Sequence, residues 1–230
     1  MNRAEAPRPT AALVTEAAQL SAKQQDVYRE LQARPEGMQV SELAKVLGMH
    51  VNTVRGHLDE LLGRGVVARQ IAPSPGRGRP SHVYTARAPR PDRAATVLIA
   101  LVEVLTSTLT DNDVEKAREL GKEWAKRAGS LFELPEGDDL PTVTQVSTDV
   151  LRDLGFDPER RRESSGPKVS EISLRACPFI TQPNVLPSPV VCGLHQGFVQ
   201  DGQAVVDVEV LPFYRPKECT VLISRKDAAR

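Results

Sequence analysis

The sequence predicts an α+β chain in two parts: a small helical module closed by a basic hairpin, and a larger mixed domain reached through apolar helices. Three observations carry this. Apolar residues recur at helical spacing through residues 21–64 and then fall into short runs at 66–71 and 82–84. Charge is split along the chain: residues 1–93 hold 14 Lys and Arg against 9 Asp and Glu, although all 230 residues together are neutral. The three cysteines, Cys177, Cys192 and Cys219, all fall in the back half.

The elements follow in order. Residues 1–19, rich in Ala, Pro and Thr, read as a flexible tail. A first helix runs over 21–34, with Ser21 as its cap, Val27, Tyr28 and Leu31 on its apolar side, and Pro35 and Gly37 as its stop. Val40 reads as a short strand. Ser41 caps the next helix, whose buried face is Leu43, Ala44 and Leu47. Gly48 supplies the left-handed corner. In the helix over 51–64, Val54, Leu58, Leu61 and Leu62 fall at i, i+4, i+7 and i+8. Residues 66–71 and 82–84 form a hairpin around the tip PSPGRGRP. Residues 64–91 contain six arginines and no acid.

Helix, tight turn, helix and basic hairpin in that order are a winged helix-turn-helix, a device that lays one helix in the major groove of DNA. With Val54, Leu58 and Leu61 turned inward, geometry presents Val51, Asn52, Arg55 and either His57 or Asp59 outward. Asn52 is suited to adenine and Arg55 to guanine. Thr53 at the helix start is suited to a phosphate. In the tip, Arg77 and Arg79 alternate with Gly76 and Gly78, a pattern fitted to the minor groove. The expected partner is a double-stranded DNA operator, read by a homodimer at two half-sites.

Beyond a linker at 86–91, residues 94–109 carry one charge, Glu103. Val97, Leu98, Leu101, Val104, Leu105 and Leu109 form a seam, and Ile99 and Val102 are apolar on the other side, so a dimerisation helix is expected. A second helix over 113–132 repeats Val114, Ala117, Leu120, Trp124, Ala128 and Leu131. Then come a helix at 142–154, a strand at 169–174, a helix at 189–200 capped by Ser188, and strands at 204–211 and 219–224. Val206, Val208 and Val210 alternate with Asp207 and Glu209, so one sheet face is wet. The domains are thus a tail (1–19), a winged helix-turn-helix (20–88), a helical dimerisation segment (89–133) and an α+β sensor domain (134–230).

The wing GRGRPSHVYT, the helix pair after it, DLGFDPE at 153–159, ACPF at 176–179 and VVCGLHQGFV at 190–199 resemble a group of bacterial regulators filed near the ArsR and DeoR types. Their best-studied branch is the Suf-operon repressor. The resemblance covers nearly the whole chain. It implies an iron–sulfur cluster, [4Fe–4S] or [2Fe–2S], held by cysteines that carry over to Cys177, Cys192 and Cys219, with cluster status setting operator affinity. That branch has a further ligand position with no cysteine counterpart here.

The residues themselves leave the cysteine site open between a cluster, a zinc ion and thiols without metal. Cys192 and His195 are i and i+3 on one helix, so they share a face and His195 is a candidate fourth ligand. Cys219 shares strand parity with Val221 and Ile223, and Cys177 precedes a turn at Pro178. A Cys–His pair also suits nucleophilic catalysis, but no orienting third group, oxyanion loop or phosphate loop accompanies it, so no enzyme is expected. With neither a signal peptide nor a membrane-length apolar run, a cytoplasmic site is expected. Two readings remain: a repressor governed by a cluster or redox state, and a regulator whose back domain binds a small-molecule effector without metal.

Overall fold

The computed structural model describes residues 6–71, 81–87, 93–128, 140–161, 169–180, 186–200 and 206–225. The chain divides into two compact units, Ala11–Pro91 and Met1–Thr10 with Asp92–Arg230.

The described chain opens with β1 (Arg8–Pro9) and α1 (Thr10–Ala18). This corrects the flexible tail expected over 1–19. Leu13 of α1 is buried, and Ala17 and Leu20 join the core of the smaller unit. The alanines that make the segment look featureless are also the best helix formers.

In the smaller unit α2 (Ala22–Gln32) starts at Ser21 in a reciprocal capping box. Ser21 N–H donates to Gln24 Oε1 at 2.9 Å, and Gln24 N–H donates to Ser21 Oγ at 3.4 Å. The strand at Val40 and the cap at Ser41 are both corrected. Val40 begins α3 (Val40–Leu47), and Gln39 is its cap, with the Gln39 N–H donating to Glu42 Oε2 at 2.7 Å. Helical placement puts Val40, Leu43, Ala44 and Leu47 on one inward stripe, which a strand cannot do. The strand-like pairing moves to Met38, which exchanges backbone bonds of 3.0 and 2.9 Å with Tyr84.

Gly48 ends α3 at φ 61° and turns the chain into α4 (Val51–Gly63), whose cap His50 accepts the Asn52 N–H at 3.2 Å. Antiparallel β2 (Val67–Ile71) and β3 (His82–Ala86) then pair with Arg69 opposite Tyr84. Val27, Leu31, Leu43, Val54, Leu58 and Leu61, each with no exposed surface, form the core.

The larger unit holds α5 (Arg93–Thr106), a 3₁₀ turn at Asp111–Asp113, α6 (Val114–Ala128) and α7 (Leu140–Asp153). These are followed by β4 (Pro158–Arg161), β5 (Val169–Leu174), β6 (Ala176–Cys177), α8 (Pro189–Gln200), β7 (Val206–Arg215) and β8 (Glu218–Arg225). The sheet runs β4-β5-β8-β7, antiparallel throughout, and β1 pairs in parallel with β6. Val143 and Leu151 of α7 share a core with Ile172, Val221 and Ile223 of the sheet. On β7 the expected alternation holds, with Val206 and Val210 buried and Asp207 and Glu209 exposed.

Helices α6 and α8 meet backbone to backbone. A Cβ added at Gly197 would lie 1.9 Å from the Arg118 carbonyl oxygen, and one at Gly121 would lie 2.1 Å from that of Leu194. Only glycine permits this approach. Residues 93–128 therefore belong to the same compact unit as the sheet.

Among the described residues the buried carboxylates Asp157, Glu171 and Glu218 are paired with arginines. Arg161 reaches Glu218 at 2.5 Å and Glu171 at 3.5 Å, and Arg215 bonds Glu171. Burial pushes the Glu218 carboxyl up, but the Ser173 hydroxyl and the Arg161 guanidinium outweigh it and hold the group below its usual value. Among the described residues no helix is long and apolar enough to cross a membrane.

Candidate nucleic-acid interface and cysteine pocket

The α4 helix is divided by its own periodicity. Val54, Leu58 and Leu61 point into the core, which leaves Val51, Asn52, Thr53, Arg55, Gly56 and Asp59 exposed. His57 is half-buried at the edge of that face. Arg55 Nη1 donates to Asn52 Oδ1 at 3.3 Å, so the two side chains expected to read bases already lie together. The acid Glu60 is also exposed and accepts a bond from the Gln24 amide. The wing tip lies outside the described residues, and Arg77 and Arg79 with it.

The second site is a cavity of about 30 Å³, about the room of two waters, in the larger unit. Cys177, Cys192, Cys219 and His195 all line it, among Phe156, Phe179, Val210 and Phe213. They reach it from two strands and one helix. Cys177 ends β6 beside the turn at Pro178. Cys192 and His195 share the face of α8 opposite Gly193 and Gly197, whose glycine face packs on α6. Ser188 Oγ accepts the Val190 N–H at 3.2 Å and so starts α8 where the sequence predicts. Cys219 stands on β8 across from a bulge between Leu211 and Arg215, where Phe213 takes φ 52°.

The pocket is lined mostly by apolar groups, and its electrostatics follow from the burial of its polar ones. Burial pushes Cys177 up to about 12, against backbone N–H groups of Phe179 and Ile180 that pull it down. Burial pushes Cys192 up to about 12 as well. Cys219 is raised by burial and eased by the Phe213 N–H, which donates to its sulfur at 3.4 Å. Burial alone lowers His195 to about 4. Its ring lies flat against Phe156, with centroids 4.3 Å apart and planes within 7°. Its Nε2 is buried with no hydrogen-bond partner among the described residues. At neutral pH burial therefore favours three un-ionised thiols and a neutral imidazole in the pocket.

Sequence reasoning missed the Phe156 stack and the Phe213 bulge. The first had a signal, since Phe156 lies in the GFDP run. The second had none, because a left-handed phenylalanine is set by the register of β7 against β8 rather than by local preference. Among the described residues, no three His, Cys, Asp or Glu side chains are set to hold one metal ion.

Residues 20–70 match a family model described as a helix-turn-helix domain. Together with the geometry of α3 and α4, the match makes the smaller unit a helix-turn-helix domain, the module of DNA-binding transcriptional regulators. No curated protein matches the chain. A solved structure, trafficking protein particle complex subunit 3 from Naegleria fowleri covalently bound to palmitic acid, is 13% identical to it. The match covers 60% of this chain and 98% of that one, with a TM-score of 0.40, too low to read a shared fold from.

Proposed function

We propose that the protein is a homodimeric transcriptional repressor. Its α4 helices read an operator, and an iron–sulfur cluster in the cysteine pocket sets its affinity. The observation that carries the DNA reading is the exposed Asn52–Arg55 pair on a helix whose opposite face is wholly buried. Asn52 and Arg55 meet base edges, Thr53 meets the backbone, and the arginines of the wing enter the minor groove.

Pairing of two chains is supported by apolar residues left open on two helices. Leu101, Val104 and Leu105 of α5 are 49 to 65% exposed, and Leu120 and Trp124 of α6 are exposed as well. A water-soluble chain covers such a surface.

Three thiols and an imidazole lining one pocket are a donor set a cluster can use. Each can bind a different iron of a polynuclear cluster. Backbone N–H groups already aimed at Cys177 and Cys219 would support their thiolates. In this reading Cys177, Cys192 and Cys219 hold the cluster, and His195 Nε2, buried and unpartnered, is the fourth ligand. When bound, the cluster supplies one-electron redox chemistry. The residues around it exclude water, and α8 couples the pocket rigidly to α6.

Anaerobic purification with iron, sulfide and absorption measurements tests the cluster. Visible absorption that vanishes in Cys192→Ser is expected, and a colourless, iron-free protein overturns that part. Light scattering tests the pairing, which a monomer at micromolar concentration would refute. Selection from a randomised duplex pool tests the DNA reading, which fails if no sequence is enriched.

A further inference from the structure

Gly56 occupies the middle of α4 (Val51–Gly63), where glycine is the least favourable residue after proline. Nothing inside the protein asks for it. A Cβ built there meets no atom within 4 Å, and its backbone is ordinary right-handed helix. The other described glycines of this unit are different. Gly37, Gly48 and Gly65 sit at φ 84°, 61° and 67°, and Gly63 is the last residue of the helix.

The position of Gly56 on the helix is informative. It lies one turn after Asn52, beside Arg55 and one turn before Asp59 and Glu60, on the side away from Val54, Leu58 and Leu61. The hydrogen bond from Arg55 to Asn52 runs along one side of it. The result is a notch of bare backbone next to the two side chains suited to base edges.

We propose that this notch seats the duplex, so that the α4 backbone at Gly56 lies in van der Waals contact with DNA. The missing side chain lets the helix sit deeper in the groove by about the radius of a methyl group. That depth brings Asn52 and Arg55 into bonding range of the bases. Gly56 is thus a positioning residue whose requirement comes from the ligand rather than the fold. The inference rests on the DNA-binding reading and names the surface that reading uses.

The test uses the full-length chain and the duplexes it selects from a randomised pool at one fixed salt concentration. Gly56→Ala is expected to lower affinity for those duplexes by about ten-fold or more, comparable to one lost base contact. Gly56→Leu is expected to lower it further. Both variants are expected to melt at or above the wild-type temperature, because a helix interior prefers either residue to glycine. An Ala variant with unchanged affinity overturns the inference, and so does one that melts lower. A wild-type chain that selects no duplex refutes the DNA-binding reading itself, a distinguishable failure that takes this inference with it.

Discussion

His195 makes the metal-free larger unit acid-sensitive in a window where few other groups titrate. Its pKa falls from 6.5 to about 4 because burial disfavours the charged ring, and no acid offsets it. The sign follows from linkage. Below pH 6.5 the unfolded chain takes up a proton at this residue and the folded chain does not, so stability present above 6.5 is lost as pH falls toward 4. At about 1.4 kcal/mol per pKa unit the full loss is about 3 kcal/mol, of which about 2 kcal/mol is gone by pH 5.

The other three of the four histidines, His50, His57 and His82, all lie in the smaller unit. Trp124, the sole tryptophan, packs on Phe198 in the larger unit with ring centroids 3.9 Å apart, so its fluorescence reports that unit alone. Urea unfolding followed by that signal should give a midpoint that drops between pH 7 and pH 5. His195→Phe keeps a flat ring for Phe156 to stack on and removes the titration, so its midpoint should stay nearly level. It should also match or exceed the wild type at pH 7, because an unpaired buried nitrogen is gone. Parallel acid losses in both proteins would falsify the argument.

Other outcomes follow from the same geometry. Arg55→Ala should weaken binding to the selected operator by about 1–3 kcal/mol and relax one base position, with thermal stability unchanged; an unaltered selected sequence contradicts the docking. Gly197→Ala forces apart helices that touch through backbone and should destabilise the larger unit by about 1–3 kcal/mol, seen as a lower urea midpoint of the Trp124 signal. In the metal-free folded chain, thiols near 12 rather than 9 carry about 10³-fold less thiolate, so Cys177 and Cys192 should resist iodoacetamide at pH 8 until urea is added. Rapid labelling of the folded chain would show that the pocket is wet.

Local pattern carries the front of the molecule. The spacing of Val54, Leu58 and Leu61 dictates which face of α4 is buried, and therefore that Asn52 and Arg55 are exposed, because a helix has one period and one inward stripe. The cap at Ser21, the left-handed corner at Gly48 and the start of α8 at Ser188 were legible for the same reason: each is settled within four residues. The alternation on β7 was legible too. The tail over 1–19 and the strand at Val40 were misread, because short runs of alanine or a single β-branched residue yield to whatever packs against them.

What sequence alone determined, then, is which face of α4 is exposed and a list of three thiols and one imidazole. It could not determine that these four line one cavity, since Cys177, Cys192 and Cys219 come from β6, α8 and β8 and are brought together only by sheet order and by the glycine contact of α8 on α6. Nor could it determine that His195 is neutral, stacked and unpartnered. Burial is a property of the assembled neighbours, and it is burial that sets the charge of this pocket.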